Sequence, residues 1–324
     1  MERRYELVEG WEKRGAAGFY EDAAGVAVGP DDLVYVLTRG PSRILVYDPD
    51  GNLHRMIESR DLGTRCHGVT VDSNGRILVA DDRRHLVVAL DPAGRTIMTL
   101  GNQDVPSDTG FDGKDQLTIE RGGPPFNRPT NVVVMESASL AVSDGYGNSR
   151  VHVFASDGTL VRSFGQPGSA PGQFRRPHGI AAFPDGRIAV ADRENDRVQV
   201  FDKSGSFLDQ WVSVQRPSHL AVDPINHVVA VAEFSWREGQ VSFRTGPQPA
   251  LPSRVSVVDY EGNVLARLGG GKDPAAPGNF IAAHGVAIDS VGSIYVAEVT
   301  GTVGVRRGLV PDTCHTLQKF QLIN

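Results

Sequence analysis

The sequence predicts an all-β fold, a six-bladed β-propeller, on three observations. First, one unit recurs along the chain and is clearest at residues 176–211, RPHGIAAFPDGRIAVADRENDRVQVFDKSGSFLDQW. Second, each copy breaks into short apolar runs separated by Asp-Gly, Asn or Ser-Gly signals, which reads as four strands joined by tight turns. Third, the last unit has three strands and no fourth, while YELVEGW at residues 5–11 is a spare strand at the other end of the chain. Pairing the two closes the ring and removes an exposed sheet edge. Six such units make residues 1–324 a single propeller domain, with the N-terminal strand completing blade six.

In chain order, blade one covers residues 23–57, blade two 66–101, blade three 128–165 and blade four 176–211. Blade five begins at 216 with RPSHLAVDPINHVVAVAEF and resumes at 254 with RVSVVDYEGNVLARLG. Blade six begins at 283 with AHGVAIDSVGSIYVAE and ends in LQKFQLI. IAVA in blade four reads as buried on both faces, whereas the alternation in VQVF and in LVRSF predicts half-buried strands. Insertions at 102–127, 235–252 and 299–315 break the rhythm. They are Gly/Pro-rich and too long for turns, as functional loops and loosely ordered segments both are.

Composition narrows the function classes. The net charge is −6 and no Lys/Arg-rich run supplies a phosphate-binding stripe, which argues against nucleic acid. No run of 18 apolar residues and no signal-peptide core occurs, so the expectation is a cytoplasmic protein with no membrane span. Two cysteines, Cys66 and Cys314, are too few for a disulfide framework and read as thiols in a reducing compartment.

Aligning the blades exposes the chemistry. The position that opens the innermost strand holds Ala24, His67, Thr130, His178, Ser218 and His284. Histidine therefore occupies blades two, four and six, which lie about 120° apart around a six-fold ring. The register is firm, because an acidic residue follows fourteen positions after each: Asp81, Asp192 and Glu298. Three imidazoles converging on the axis form a His₃ set, the ligand pattern of a catalytic zinc with one open position. Cys66 precedes His67, but successive strand side chains point to opposite sides, so it is not expected to be a ligand. The acidic series Asp81, Asp144, Asp192, Glu233 and Glu298 recurs in nearly every blade, which favours a structural role accepting bonds from turn backbone.

The loop after each second strand opens on the histidine face. It carries Arg39 in blade one, Tyr146 in blade three and Arg193 in blade four. Two arginines beside a metal suit a carboxylate, and a tyrosine there can act as a base. The same residues could instead pair with acids such as Asp192 and Glu194, or simply pack.

These units resemble NHL repeats. SDGYGNSRVHVF, FGQPGSAPGQFRRPHGIA and VADRENDRVQVF together resemble the peptidyl-α-hydroxyglycine α-amidating lyases. That resemblance implies a six-bladed propeller with one axial zinc on His67, His178 and His284. It also implies a catalytic base at Tyr146 and active-site arginines at Arg39 and Arg193. The implied reaction cleaves an α-hydroxyglycine C–N bond to an amide and glyoxylate. Two departures are plain. Gly147 stands where the animal lyases have a disulfide-bonded cysteine after the tyrosine. Gly285 stands where they have an aspartate that helps hold a calcium, so weak calcium binding at most is expected. These residues also lack the hydroxylating domain that supplies the animal lyases' substrate. The expected substrate carries a carboxylate and is either a peptide or a small hydroxylated amide or ureide. A zinc-dependent hydrolase or lactonase and a non-enzymatic NHL scaffold are the alternative readings.

Overall fold

A computed structural model describes residues 3–40 and 43–323. Six four-stranded antiparallel sheets are arranged as the blades of a ring. Blade one is built from Ala23–Val28, Val34–Thr38, Arg43–Tyr47 and Leu53–Glu58, and blades two to four repeat that order without interruption. In blade six the strand order is Tyr5–Leu7, Leu317–Leu322, Ile294–Glu298, Ala283–Ile288, so the N-terminal segment supplies the outer strand. Tyr5 pairs with Leu322 and Leu7 with Phe320, closing the ring at the edge the sequence left open.

Six apolar clusters hold the blades, one at each blade–blade boundary. The cluster of Leu37, Ile44, Val79 and Val88 joins blades one and two, and that of Val26, Tyr47, Tyr295 and Leu317 joins blades six and one. A propeller has no central core, so alternation within a strand serves two neighbouring blades at once. Burial follows from this: Ile188–Asp192 is buried throughout, as IAVA predicts. The alternation in VQVF misleads, because Arg197–Phe201 is wholly buried. Its polar Gln199 is covered by the loop at Gln173 and by the end of the neighbouring strand, donating to Gln173 O at 2.8 Å and to Asp192 Oδ2 at 3.1 Å. Leu160–Phe164 is the outer strand of blade three and is partly to fully exposed.

One local feature positions the site. In every blade the pairing of the first two strands slips at the inner-strand opening, as between Cys66 and Gly68 or Ala283 and Gly285. The skipped residue is a bulge, and a bulge re-aims its side chain. The six bulged positions are the aligned set Ala24, His67, Thr130, His178, Ser218 and His284. No helix among the described residues is long and apolar enough to cross a membrane.

Candidate metal centre

The three histidines meet on the axis. Their ring centroids lie 4.6, 4.6 and 5.0 Å apart, all three are buried, and one nitrogen from each falls within 4.8 Å of the others. Each imidazole is oriented by the blade that follows it. His67 Nδ1 bonds Thr130 O at 2.7 Å, His178 Nδ1 bonds Ser218 O at 2.7 Å, and His284 Nδ1 bonds Ala24 O at 2.6 Å. A carbonyl only accepts, so each Nδ1 carries the proton and each Nε2 presents a bare lone pair to the centre. Burial is the largest of the causes that hold all three well below the ordinary histidine range. The next is His284 for His67, Arg193 for His178 and Arg39 for His284. Three neutral imidazoles with converging lone pairs fit a zinc or similar borderline cation.

The intervening blades brace this ring with hydroxyls. Thr130 Oγ1 donates to Pro177 O at 3.1 Å and Ser218 Oγ donates to Ala283 O at 2.7 Å. Histidine thus stands in every second blade, and of the blades between, three and five carry a hydroxyl clasp while blade one has Ala24 and none. The acidic series is structural, as its recurrence suggests: Asp81, Asp144, Asp192, Glu233 and Glu298 each accept a backbone N–H from an approaching loop at 2.7–2.9 Å. Cys66 lies off the axis, its sulfur 3.3 Å from Gly63 O, and neither cysteine is in a disulfide.

Tyr146 reaches into the centre from blade three. Its hydroxyl lies 3.0 Å from His67 Nε2 and 3.2 Å from His178 Nε2. Guanidinium groups of Arg128, Arg176 and Arg193 flank its ring at 5.2, 5.3 and 5.7 Å from the centroid. The next residue, Gly147, has no space for a side chain, because a Cβ there would stand 2.1 Å from Asn127 Oδ1. Gly147→Ala is expected to cost roughly 1–3 kcal/mol by overpacking, which a urea melt would register. Gly285 is similarly tight, a Cβ there meeting Gly25 Cα and Val26 N at 3.0 Å.

Above the histidines lies a cavity of about 280 Å³ lined by His284, Tyr146, Arg39 and Arg193. The sequence-derived site residues are therefore together. Arg39 and Arg193 also have acidic partners: Asp22 lies 3.6 Å from Arg39, and Glu194 accepts from Arg193 at 3.0 Å. Glu194 is shared with Arg216 at 3.1 Å and Arg176 at 3.6 Å. Burial pushes Glu194 up, but Arg193, Arg216 and Arg176 outweigh it and bring it down to about 2. Burial, and then the charge of Arg193, pulls Arg176 down to about 10.

Because folding lowers the Glu194 pKa, its stabilising effect is full above the ordinary glutamate range and is lost as pH falls from there toward 2. Glu194→Gln is expected to cost about 3 kcal/mol at pH 7 and to flatten the acid limb of a stability–pH profile. An unchanged acid limb would show that the three arginines do not share this carboxylate.

Arg65, Arg128, Arg176 and Arg216 escaped the sequence reading, although a signal was present. Each stands two residues before the bulged position, in blades two, three, four and five. The last three precede proline and adopt left-handed φ of 69°, 66° and 38°, a conformation that costs of order 1–3 kcal/mol and clusters at functional sites. Phe234, whose ring meets His284 edge-on at 5.8 Å, was missed for want of any repeat signal.

Fold and site together define an NHL-repeat β-propeller with an axial three-histidine cluster under an arginine-rich cavity. Residues 64–90 and 174–201 match the NHL repeat family. Among curated proteins, the chain is similar to a probable peptidyl-α-hydroxyglycine α-amidating lyase of Caenorhabditis elegans. It is 32% identical over 60% of this chain and 52% of that protein. It is also similar to peptidyl-glycine α-amidating monooxygenase A of Xenopus laevis, 35% identical over 52% of this chain and 18% of that protein. The matched region thus spans about half of one relative and under a fifth of the other. Among solved structures, virginiamycin B lyase from Staphylococcus aureus aligns over 99% of this chain and all of its own, with a TM-score of 0.61 at 13% identity, a likeness of fold.

Proposed function

We propose that this protein is a zinc-dependent carbon–nitrogen lyase that cleaves an α-hydroxyglycine-type carbinolamide to an amide and glyoxylate. The observation that carries the reading is the Tyr146 hydroxyl, 3.0 and 3.2 Å from the bare nitrogens of two of the three converging histidines. The name of the C. elegans relative supports it.

The substrate HO–CH(COO⁻)–NH–C(=O)R needs one proton removed from its hydroxyl and one delivered to its nitrogen. As the O–H electrons form the aldehyde C=O, the C–N bond breaks and its electrons pass to nitrogen. Zinc, when bound by His67, His178 and His284, supplies a Lewis acid that polarises the substrate oxygen. Tyr146 accepts the hydroxyl proton and passes it to the leaving nitrogen, so the base is restored and no water is consumed. Arg39 and Arg193 hold the carboxylate and restrict rotation about the scissile bond. Phe234, Ile281 and Val299 wall the cavity with apolar surface that excludes competing water.

Product analysis tests this. Glyoxylate and amide in equal amounts, with no oxygen from labelled solvent in the fresh aldehyde, are expected. An acid plus an amine would instead identify a water-activating hydrolase. Arg193→Lys keeps the charge but loses the fork, so it should raise KM for the carboxylate substrate more than for its methyl ester.

A further inference from the structure

Resting on the lyase reading, we propose that the substrate carries a second carboxylate, on its acyl side, held by arginines that two insertions bring to the cavity mouth. Seven of the sixteen residues lining the cavity are arginine, and none is acidic. They fall into an inner and an outer set. Arg193 and Arg39 have the least exposed side chains of the seven, at 6% and 10%, so they form the floor, and each has an acidic partner.

Arg237 and Arg307 form the outer set. Both are exposed, both line the cavity, and they come from the 235–252 and 299–315 insertions respectively. Neither guanidinium has an ion pair or hydrogen bond among the described residues. Arg216, which already shares Glu194 with two other arginines, is near enough to Arg237 for the charges to repel. Deeper in the wall, the buried Nε donors of Arg39, Arg65 and Arg176 make no hydrogen bond, although Asp22, Asp82 and Glu194 lie 3.6–3.7 Å from these guanidinium groups. Five wall arginines share only Asp22, Asp82 and Glu194, and the unpaired charges of Arg237 and Arg307 add to this excess, so the like charges destabilise each other until an anion binds.

The carboxylate of an α-hydroxyglycine occupies one bidentate site, which the floor arginines provide. It leaves the mouth arginines without a counter-charge. An acyl group ending in a second carboxylate would supply one, and its dianionic substrate would also be drawn in by the cavity's field.

The test compares α-hydroxy-N-succinylglycine with the methyl ester of its succinyl carboxyl, at low ionic strength on zinc-loaded protein. We expect kcat/KM at least about tenfold higher for the acid, shrinking toward parity in about 0.5 M salt, where the screening length is about half the roughly 8 Å of physiological strength. In the double variant Arg237→Gln/Arg307→Gln, the loss should fall mainly on the acid. Equal kcat/KM for acid and ester in the wild type, or a preference undiminished in the double variant, would overturn the proposal. Failure of the lyase reading looks different, since neither compound would release glyoxylate. Calorimetry with glutarate and butyrate then decides the anion site alone. Glutarate should bind at least about tenfold tighter to the wild type and lose that advantage in the double variant, whereas equal binding would refute a two-anion cavity.

Discussion

Tyr146→Phe is expected to lower kcat roughly 10²–10⁴-fold with little change in KM, the loss associated with a general base. The substitution removes one oxygen and keeps the ring, which packs edge-on against His67 and His178 at 5.1 and 5.6 Å and lies among three guanidinium groups. Fold and zinc content should therefore persist, because Tyr146 supplies none of the three ligand nitrogens. Those controls give the kinetic result its meaning. A Phe variant within about threefold of wild-type kcat at full zinc loading cannot have lost its base. The water-activating alternative would then be the better account of the same histidines.

His178→Ala should abolish activity by removing the metal. Two imidazoles remain, and zinc sites of this type need three protein ligands. Losing a ligand should exceed the roughly 10–100-fold drop in affinity that follows loss of an outer hydrogen-bond partner. The change also leaves Ser218 O without the imidazole that now bonds it at 2.7 Å, a cost of about 1 kcal/mol. The propeller should tolerate that, since the six apolar clusters that join its blades do not include His178. A melting temperature within a few degrees of wild type, with zinc lost, is the expected pair of results. Retained zinc would mean that the three histidines are not the ligand set.

Much of this architecture is legible in the sequence because a propeller repeats. Each blade reports on the others, so three histidines at alternate bulged positions stand out where any single one would not. The ring closure by Tyr5–Leu7 is legible for the same reason, as a strand missing at one end and spare at the other. What repetition does not encode is harder to see. Arg237, Arg307 and Phe234 lie in or beside insertions with no equivalent in other blades, and only the folded chain brings them to the histidines. Charge illustrates the gap: a net −6 gives no hint of a cavity lined by seven arginines. The arginine two residues before each bulge in blades two to five was visible, but in blades three to five its placement depends on a left-handed backbone before proline that pattern alone does not reveal. Likewise the alternation in Arg197–Phe201 is that of a half-exposed strand, yet loops bury its polar side as well.

The most direct test of the central claim joins metal content to product. Purified protein would be assayed for zinc and for glyoxylate release from an N-acyl-α-hydroxyglycine, before and after exhaustive chelation and after zinc is restored. The account predicts about one zinc per chain, glyoxylate and amide formed in equal amounts, activity lost on chelation and regained with zinc. Full activity from a folded, metal-free protein would contradict it.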